Sequence, residues 1–315
     1  MRAGALILAV GTIAGVSMLG KSAADDAPAK SQPPDLSTIT VEARRARETL
    51  EKQVSTFVTG VMTHYSDESL ARWDTAVCPL VAGFPRDVGE FMLARLSQIV
   101  KAADAPLAAE NCRANLYVIV TREPDLLLKS WRRRDARIFG NAPPRTIRRF
   151  LDTPRPVRVW YNGDISASDG VLSSSTLAGS VGGMGVASSG ALGGGNGSTN
   201  SYPTNTRPKP TRLIWNEVQA LSSVIVIVDS SKLKAVSIGQ LADYIGLIAL
   251  AEVRLDTDSG TAPTILHLFA GPEGAAPQQL SAWDQALLKS LYDTPQKSVM
   301  QLSQIKTGVL QSIAP

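Results

Sequence analysis

Eleven basic side chains crowd one stretch of this chain: Arg122, Lys129, Arg132, Arg133, Arg134, Arg137, Arg145, Arg148, Arg149, Arg155 and Arg158. Against them stand Glu123, Asp125, Asp135 and Asp152. Arginine outnumbers lysine here, and its planar fork of donors suits a phosphate or a carboxylate. The stretch is therefore the best candidate for binding, with Arg132, Arg133, Arg134, Arg148 and Arg149 as its anion contacts. Trp131 and Trp160 lie among them, where an indole stacks on a ligand or sits at a bilayer interface. The competing reading is a solvated helix face whose arginines pair with the chain's own acids.

Other chemistry is sparse. Two histidines, His64 and His267, rule out a three-histidine zinc site within one chain. His64 falls at a helix end, where an imidazole caps carbonyls. His267 stands beside a turn. Both read as structural or surface residues. Asp243, Glu252 and His267 make a further set on paper. Asp243 and Glu252 are nine residues apart, about 180° around one helix, so they cannot share an ion unless the helix breaks. No G-x-S-x-G elbow occurs, and the serines cluster in a low-complexity segment. No pair of carboxylates is singled out for glycoside hydrolysis. Cys78 and Cys112 are the two cysteines, without a C-x-x-C motif. In an oxidising compartment they are expected to pair, which removes both as nucleophiles. A crosslink over that spacing stabilises by roughly 3–4 kcal/mol in the chain-entropy view.

One stretch has a layout without its chemistry. V-I-V-I-V precedes G-Q-L-A-D-Y-I-G-L-I-A at residues 239–249. T-I-L follows at 264–266, and L-S-A-W-D-Q-A-L-L-K-S-L-Y-D at 280–293. The order resembles the strand, zinc helix, Met-turn and closing helix of secreted zinc peptidases of the zincin, metzincin-like type. A working helix of that kind reads H-E-x-x-H-x-x-G-x-x-H. Two histidines one turn apart share a face, and the glutamate activates the water. With Gly246 on the family glycine, the ligand positions fall on Gly239, Asp243 and Ala249, and the glutamate position on Gln240. A lone aspartate cannot hold zinc. The pattern is similar to a group of exported bacterial proteins with a degenerate helix of this kind. The resemblance implies a peptidase-like frame with no catalytic residues, no metal and no cofactor. Its degenerate cleft, built from Gly239, Gln240, Asp243, Ala249, Thr264 and His267, is expected to hold a protein or peptide partner in the cell envelope. Three alternatives stay open: an arginine-rich binder of anionic lipid or cell-wall polymer, a hydrolase of unrecognised type, and an ordinary amphipathic helix.

The N-terminus sets the compartment. One arginine precedes an apolar run that ends in K-S-A-A-D-D, which reads as a secretory signal over residues 1–24 with a cut before Asp25. An uncleaved anchor is the alternative, since the run is just long enough to span. The protein is thus expected outside the cytoplasm, in the periplasm or beyond. Net charge is +4 and the isoelectric point about 9.1. That mild excess fits an anionic membrane, lipopolysaccharide or cell-wall polymer; nucleic acid is not expected for an exported protein.

These residues need elements to position them. Residues 25–37 read as a flexible Pro/Ala-rich tether. Residues 38–315 read as a single α+β domain, a mixed sheet with packed helices. It is interrupted at 165–212 by a Gly/Ser-rich insertion expected to be a disordered surface segment. Residues 37–43 look strand-like. A helix follows with Leu50, Val54, Phe57, Val58, Val61 and Met62 on one face. A second helix over 88–103 is expected to bury Phe91, Leu93, Leu96, Ile99 and Val100. Strands are expected at 115–121, 157–162, 212–218 and 220–229. Helices are expected at 125–139 with Asp125 as cap, 145–151, 238–253, 281–292 and 296–310.

Overall fold

The computed structural model describes residues 36–63, 69–140, 142–167, 172–173, 217–233, 235–256, 259–270 and 275–314. Residues up to Arg44 form one unit, and a second compact unit runs from Arg45 to Pro315. The sheet of the second unit is organised around its longest strand, Glu217–Asp229 (β6). Val224, Val226 and Val228 face one side of it, Ile225 and Ile227 the other, and all five are buried. That is why the run is apolar at every position rather than at alternate ones. One edge of β6 carries the antiparallel strand Val157–Ala167 (β4), with a bulge between Asn162 and Gly163. The other edge is shared by two parallel partners. Arg72–Trp73 (β1) pairs with Ala220 and Leu221, and Leu116–Thr121 (β3) pairs with Val224 through Asp229. Pro79–Ala82 (β2) extends the sheet beyond β3, and Leu172–Ser173 (β5) beyond β4. The architecture is mixed α/β, with a mostly parallel sheet and eight α-helices among the described residues.

Parallel neighbours need a crossover. Helix Arg86–Ala102 (α2) provides it between β2 and β3. The chain turns from β2 towards α2 at Gly83, with φ of 93°. A Cβ there would lie 2.0 Å from the Val120 carbonyl oxygen, so only glycine fits. Cys78 and Cys112 are bonded, joining the segment before β2 to the segment before β3. The Cys78 N–H also donates to the Asn115 side chain, so the same corner is held twice.

Helices cover both faces. On one side lie Leu36–Val61 (α1) from residue 50 onward, α2, Ile238–Leu250 (α5), Ala282–Asp293 (α7) and Gln301–Ile313 (α8), whose apolar side chains form the main core with the valines of β6. On the other side Pro124–Arg134 (α3), a 3-10 turn over Ala136–Phe139 and Pro144–Asp152 (α4) enclose a smaller core. It holds Leu128, Phe139, Leu151, Trp160, Ile225 and Ile227. A one-turn helix, His267–Ala270 (α6), lies between α5 and α7 in the chain. No helix among the described residues is long and apolar enough to cross a membrane.

Several expectations change in detail. Residues 37–43 are helical, the start of α1, because nothing breaks the run into the helix-favouring E-A-R-R-A-R-E-T-L-E. Phe91 is exposed, and Met92 takes the inner position with Leu96, Ile99 and Val100, the i, i+4, i+7, i+8 stripe. The expected helix at 125–139 ends at Arg134, where Asp135 turns extended. Asp125 is not its cap: Pro124 opens the helix, and the Asp125 carboxylate accepts from Arg158 Nη2 at 2.6 Å. Residues 217–229 make one strand rather than two. Within the expected insertion, residues 165–167 extend β4 and 172–173 form β5. The rest of that insertion, the signal, His64 and residues 212–216 lie outside the described residues.

Candidate functional site

Helix α5 begins on a capping box: the Ser237 hydroxyl accepts from the Gln240 N–H, and the Gln240 side chain accepts from the Ser237 N–H. Gln240 also donates to the Pro277 carbonyl at 3.1 Å. The position that would carry a peptidase glutamate is thus part of the helix cap. Asp243, one turn on, is 1 % exposed and takes a two-pronged ion pair from Arg95 of α2, at 2.5 and 2.8 Å. Its carboxylate also accepts from the Leu280 N–H at 2.7 Å. This bonding to Asp243 pushes the Arg95 guanidinium above its ordinary value. Gly246 lies where α5 packs on α2: a Cβ there would be 2.5 Å from Ile99 Cδ1. The glycine serves helix packing.

The C-terminal end of α5 explains Ala249. The last carbonyls of a helix have no partner within it. Here Tyr161 donates to the Ile248 carbonyl, Trp73 to that of Ala249 and Tyr292 to that of Leu250, each at 2.8 Å. The helix end is sealed by aromatic donors from β4, β1 and α7, and Ala249 is fully buried beneath them. Because α5 is unbroken to Leu250, six residues separate Asp243 from Ala249 by about 240° of rotation. They point to different surroundings. Gly239, half-buried in the first turn, sits beside Ile238, Asp87, Val88 and Phe91 at an open depression. The three positions that the resemblance set on zinc ligands, Gly239, Asp243 and Ala249, do not converge.

Thr264 is fully buried and donates to Asp284 Oδ1 at 2.5 Å. Asp284 is the third residue of α7, whose cap is Ser281, and it also accepts from the N–H groups of Ile265 and Ser281. Burial pushes the Asp284 carboxyl up, and these hydrogen bonds oppose the shift. The turn and the closing helix are therefore fastened together through Asp284, and Thr264 is a structural residue.

Beside this frame lies a cavity of about 70 Å³ lined by Val61, Arg155, Val157, Tyr244, Arg254, Leu255, Ser259, Leu266 and Phe269, among others. The Tyr244 ring packs edge-on against Phe269. Burial holds its hydroxyl well above the ordinary tyrosine value, and the nearby Arg155 charge works against that shift. Ser259 Oγ is 2.7 Å from His267 Nε2. Arg254 sends its guanidinium to the carbonyls of Thr59 and Gly60 at the end of α1. Of the six expected cleft residues, only His267 belongs to this neighbourhood. Asp243 is turned away from it, into the pair with Arg95, which lines a separate depression with Ile99, Leu280 and Leu288.

The arginine stretch divides in two. Arg158 is 3 % exposed, pairs with Asp125 and donates to the Leu151 carbonyl, so it is a core residue of the α3–α4 layer. Trp160 is buried between Phe139 and Phe150, with its N–H on Asn162, and is not free to stack or to reach a bilayer. Arg132, Arg133, Arg134, Arg145, Arg148 and Arg149 are exposed on the outer side of α3 and α4. None has a carboxylate partner among the described residues. Arg145, Arg148 and Arg149 share one face by their i, i+3, i+4 spacing. Arg132, Arg133 and Arg134 occupy the last turn of α3, where cations suit the helix dipole.

Sequence reasoning missed Arg95, Trp73, Tyr161 and Tyr292 as partners of α5, and Ser259 as a partner of His267. Apart from Ser259, these contacts join residues far apart in the chain, and no local spacing signals them. Compared with known proteins, the chain matches no family model, no curated protein and no solved structure.

Proposed function

We propose that this chain is an exported, non-catalytic binding protein that engages an anionic lipid surface or cell-wall polymer through the outer side of α3 and α4. The observation that carries this reading is the group of six exposed arginines without acidic partners among the described residues, on a layer whose opposite side is anchored to the sheet. Arginine forks give phosphate and carboxylate two donors at once. The bonded Cys78–Cys112 pair fits an oxidising compartment, as does the signal-like N-terminus. The zincin-like frame draws support from the order of β6, α5, the Thr264–Leu266 turn and α7. The non-catalytic reading draws support from the uses already found for its former site: Gln240 caps, Asp243 pairs, Ala249 fills the core and Thr264 fastens α7.

Vesicles test this directly. The protein should cosediment with phosphatidylglycerol-containing vesicles and bind soluble polyphosphate, with affinity that falls steeply as salt rises. Near an anionic surface each arginine contributes about 1 kcal/mol. Arg132→Glu/Arg133→Glu/Arg134→Glu should therefore weaken binding by more than about 100-fold. These side chains are exposed, so the fold should survive the change. A triple variant that binds as tightly as the parent protein would falsify the proposal.

A further inference from the structure

We infer that the cavity beside Tyr244 is a binding site for a carboxylate carried on a short apolar stem. The site is independent of the arginine face. Its described lining carries no acid: the polar groups are the guanidinium groups of Arg155 and Arg254 and the hydroxyls of Tyr244 and Ser259. Arg254 is committed to the end of α1. Arg155 is half-buried, lines the cavity and pairs with no carboxylate among the described residues. A partly desolvated guanidinium next to an apolar wall favours an anion with a matching planar fork. Tyr244 lies close enough for the Arg155 charge to act on its hydroxyl. That hydroxyl is neutral at neutral pH and available as a second donor. Val157, Leu255, Leu266 and Phe269 supply the apolar wall for the stem. The volume, about 70 Å³, suits a group of a few heavy atoms. The Ser259 hydroxyl, which also lines the cavity, is held at 2.7 Å from His267 Nε2.

Two sources present this chemistry: a free short-chain acid, and the C-terminal carboxylate of a peptide. Methyl NMR of Val157, Leu255 and Leu266, with calorimetry, distinguishes them. The probes are butyrate, butyramide, N-acetyl-trialanine acid and its C-terminal amide. At least one acid should shift these methyl resonances, and its amide should bind at least tenfold more weakly. Binding by the peptide acid alone assigns the site to a chain terminus; binding by butyrate alone assigns it to a free acid. Arg155→Gln should lower affinity at least tenfold and Arg155→Lys should recover part of the loss, which separates lost charge from lost folding. Tyr244→Phe should weaken binding several-fold, and the triple reversal in α3 should leave it unchanged. Acids and amides that bind alike, silent methyl resonances with both acids, or an Arg155→Gln protein with parental affinity would each overturn the inference.

Discussion

The Arg95–Asp243 pair makes an asymmetric prediction, because its two partners stand in different surroundings. The Asp243 side chain is 1 % exposed, whereas the Arg95 side chain is 31 % exposed. Asp243→Asn removes the buried charge. The guanidinium left behind turns to water and the amide oxygen keeps the buried Leu280 N–H, but the new amide NH2 stands where a carboxylate oxygen accepted and has no acceptor there. An unsatisfied buried donor costs about 1–3 kcal/mol, so a loss of roughly 2–3 kcal/mol is expected. Arg95→Met does the opposite: it leaves a carboxylate sealed in the protein with a single remaining donor. Uncompensated buried charge costs about 3–5 kcal/mol. The variant at the more exposed residue should therefore be the more damaging one. With a urea slope of about 3 kcal/mol per molar, Asp243→Asn should lower the unfolding midpoint by somewhat under 1 M and Arg95→Met by more than 1 M. The double variant should be less destabilised than the two single losses added together, since neither partner is stranded. An Arg95→Met protein as stable as Asp243→Asn would refute the reasoning. So would a pair of losses that simply add. Butyrate or peptide binding at the Tyr244 cavity should not change in Asp243→Asn, because that carboxylate faces the other way.

Two further outcomes follow from the α5 surroundings. Burial raises the hydroxyls of Tyr161, Tyr244 and Tyr292 above the ordinary value of 10.0. Their contribution to stability is complete below pH 10 and is lost as pH climbs towards the folded values. Each group contributes a slope of about 1.4 kcal/mol per pH unit, and the three together about 4. Alkaline titration followed by tyrosine absorbance and circular dichroism should show these three of the six tyrosines ionising only as the protein unfolds; ionisation well before loss of helix signal contradicts their burial. Gly246→Ala should lower stability by about 1–2 kcal/mol, overpacking against Ile99 outweighing a helix-propensity gain of about 1 kcal/mol. Adding Ile99→Val removes the Cδ1 atom and leaves a Cγ at about 3.1 Å, so Gly246→Ala should cost clearly less in that background when the two urea midpoints are compared.

Much of the fold is legible in local patterns. The apolar stripe of α1, the β-branched runs of β3 and β6, and the Ser-capped starts of α5 and α7 all show in residue order. So does the bonding of Cys78 to Cys112. Patterns of this kind are set by helical and strand periodicity, which a side chain obeys wherever its element ends up. The boundaries were less visible. Helix α5 ends at Leu250, where three aromatic side chains from distant strands and α7 donate to its last carbonyls, and Phe91 faces out through a one-residue shift of phase on α2.

The candidate site divides along the same line. Residue types by themselves determined that positions 239, 240, 243 and 249 lack the ligands of a zinc helix, and that the arginines of α3 and α4 are the densest positive charge in the chain. Only the tertiary structure decided which charges are free. Arg158 and Arg95 are spent on Asp125 and Asp243, while Arg132, Arg148 and Arg155 have no carboxylate partner among the described residues. Whether a guanidinium meets a carboxylate or a cavity depends on groups tens to hundreds of residues away. Distance in space, not order in the chain, sets the strength of a charge's interactions.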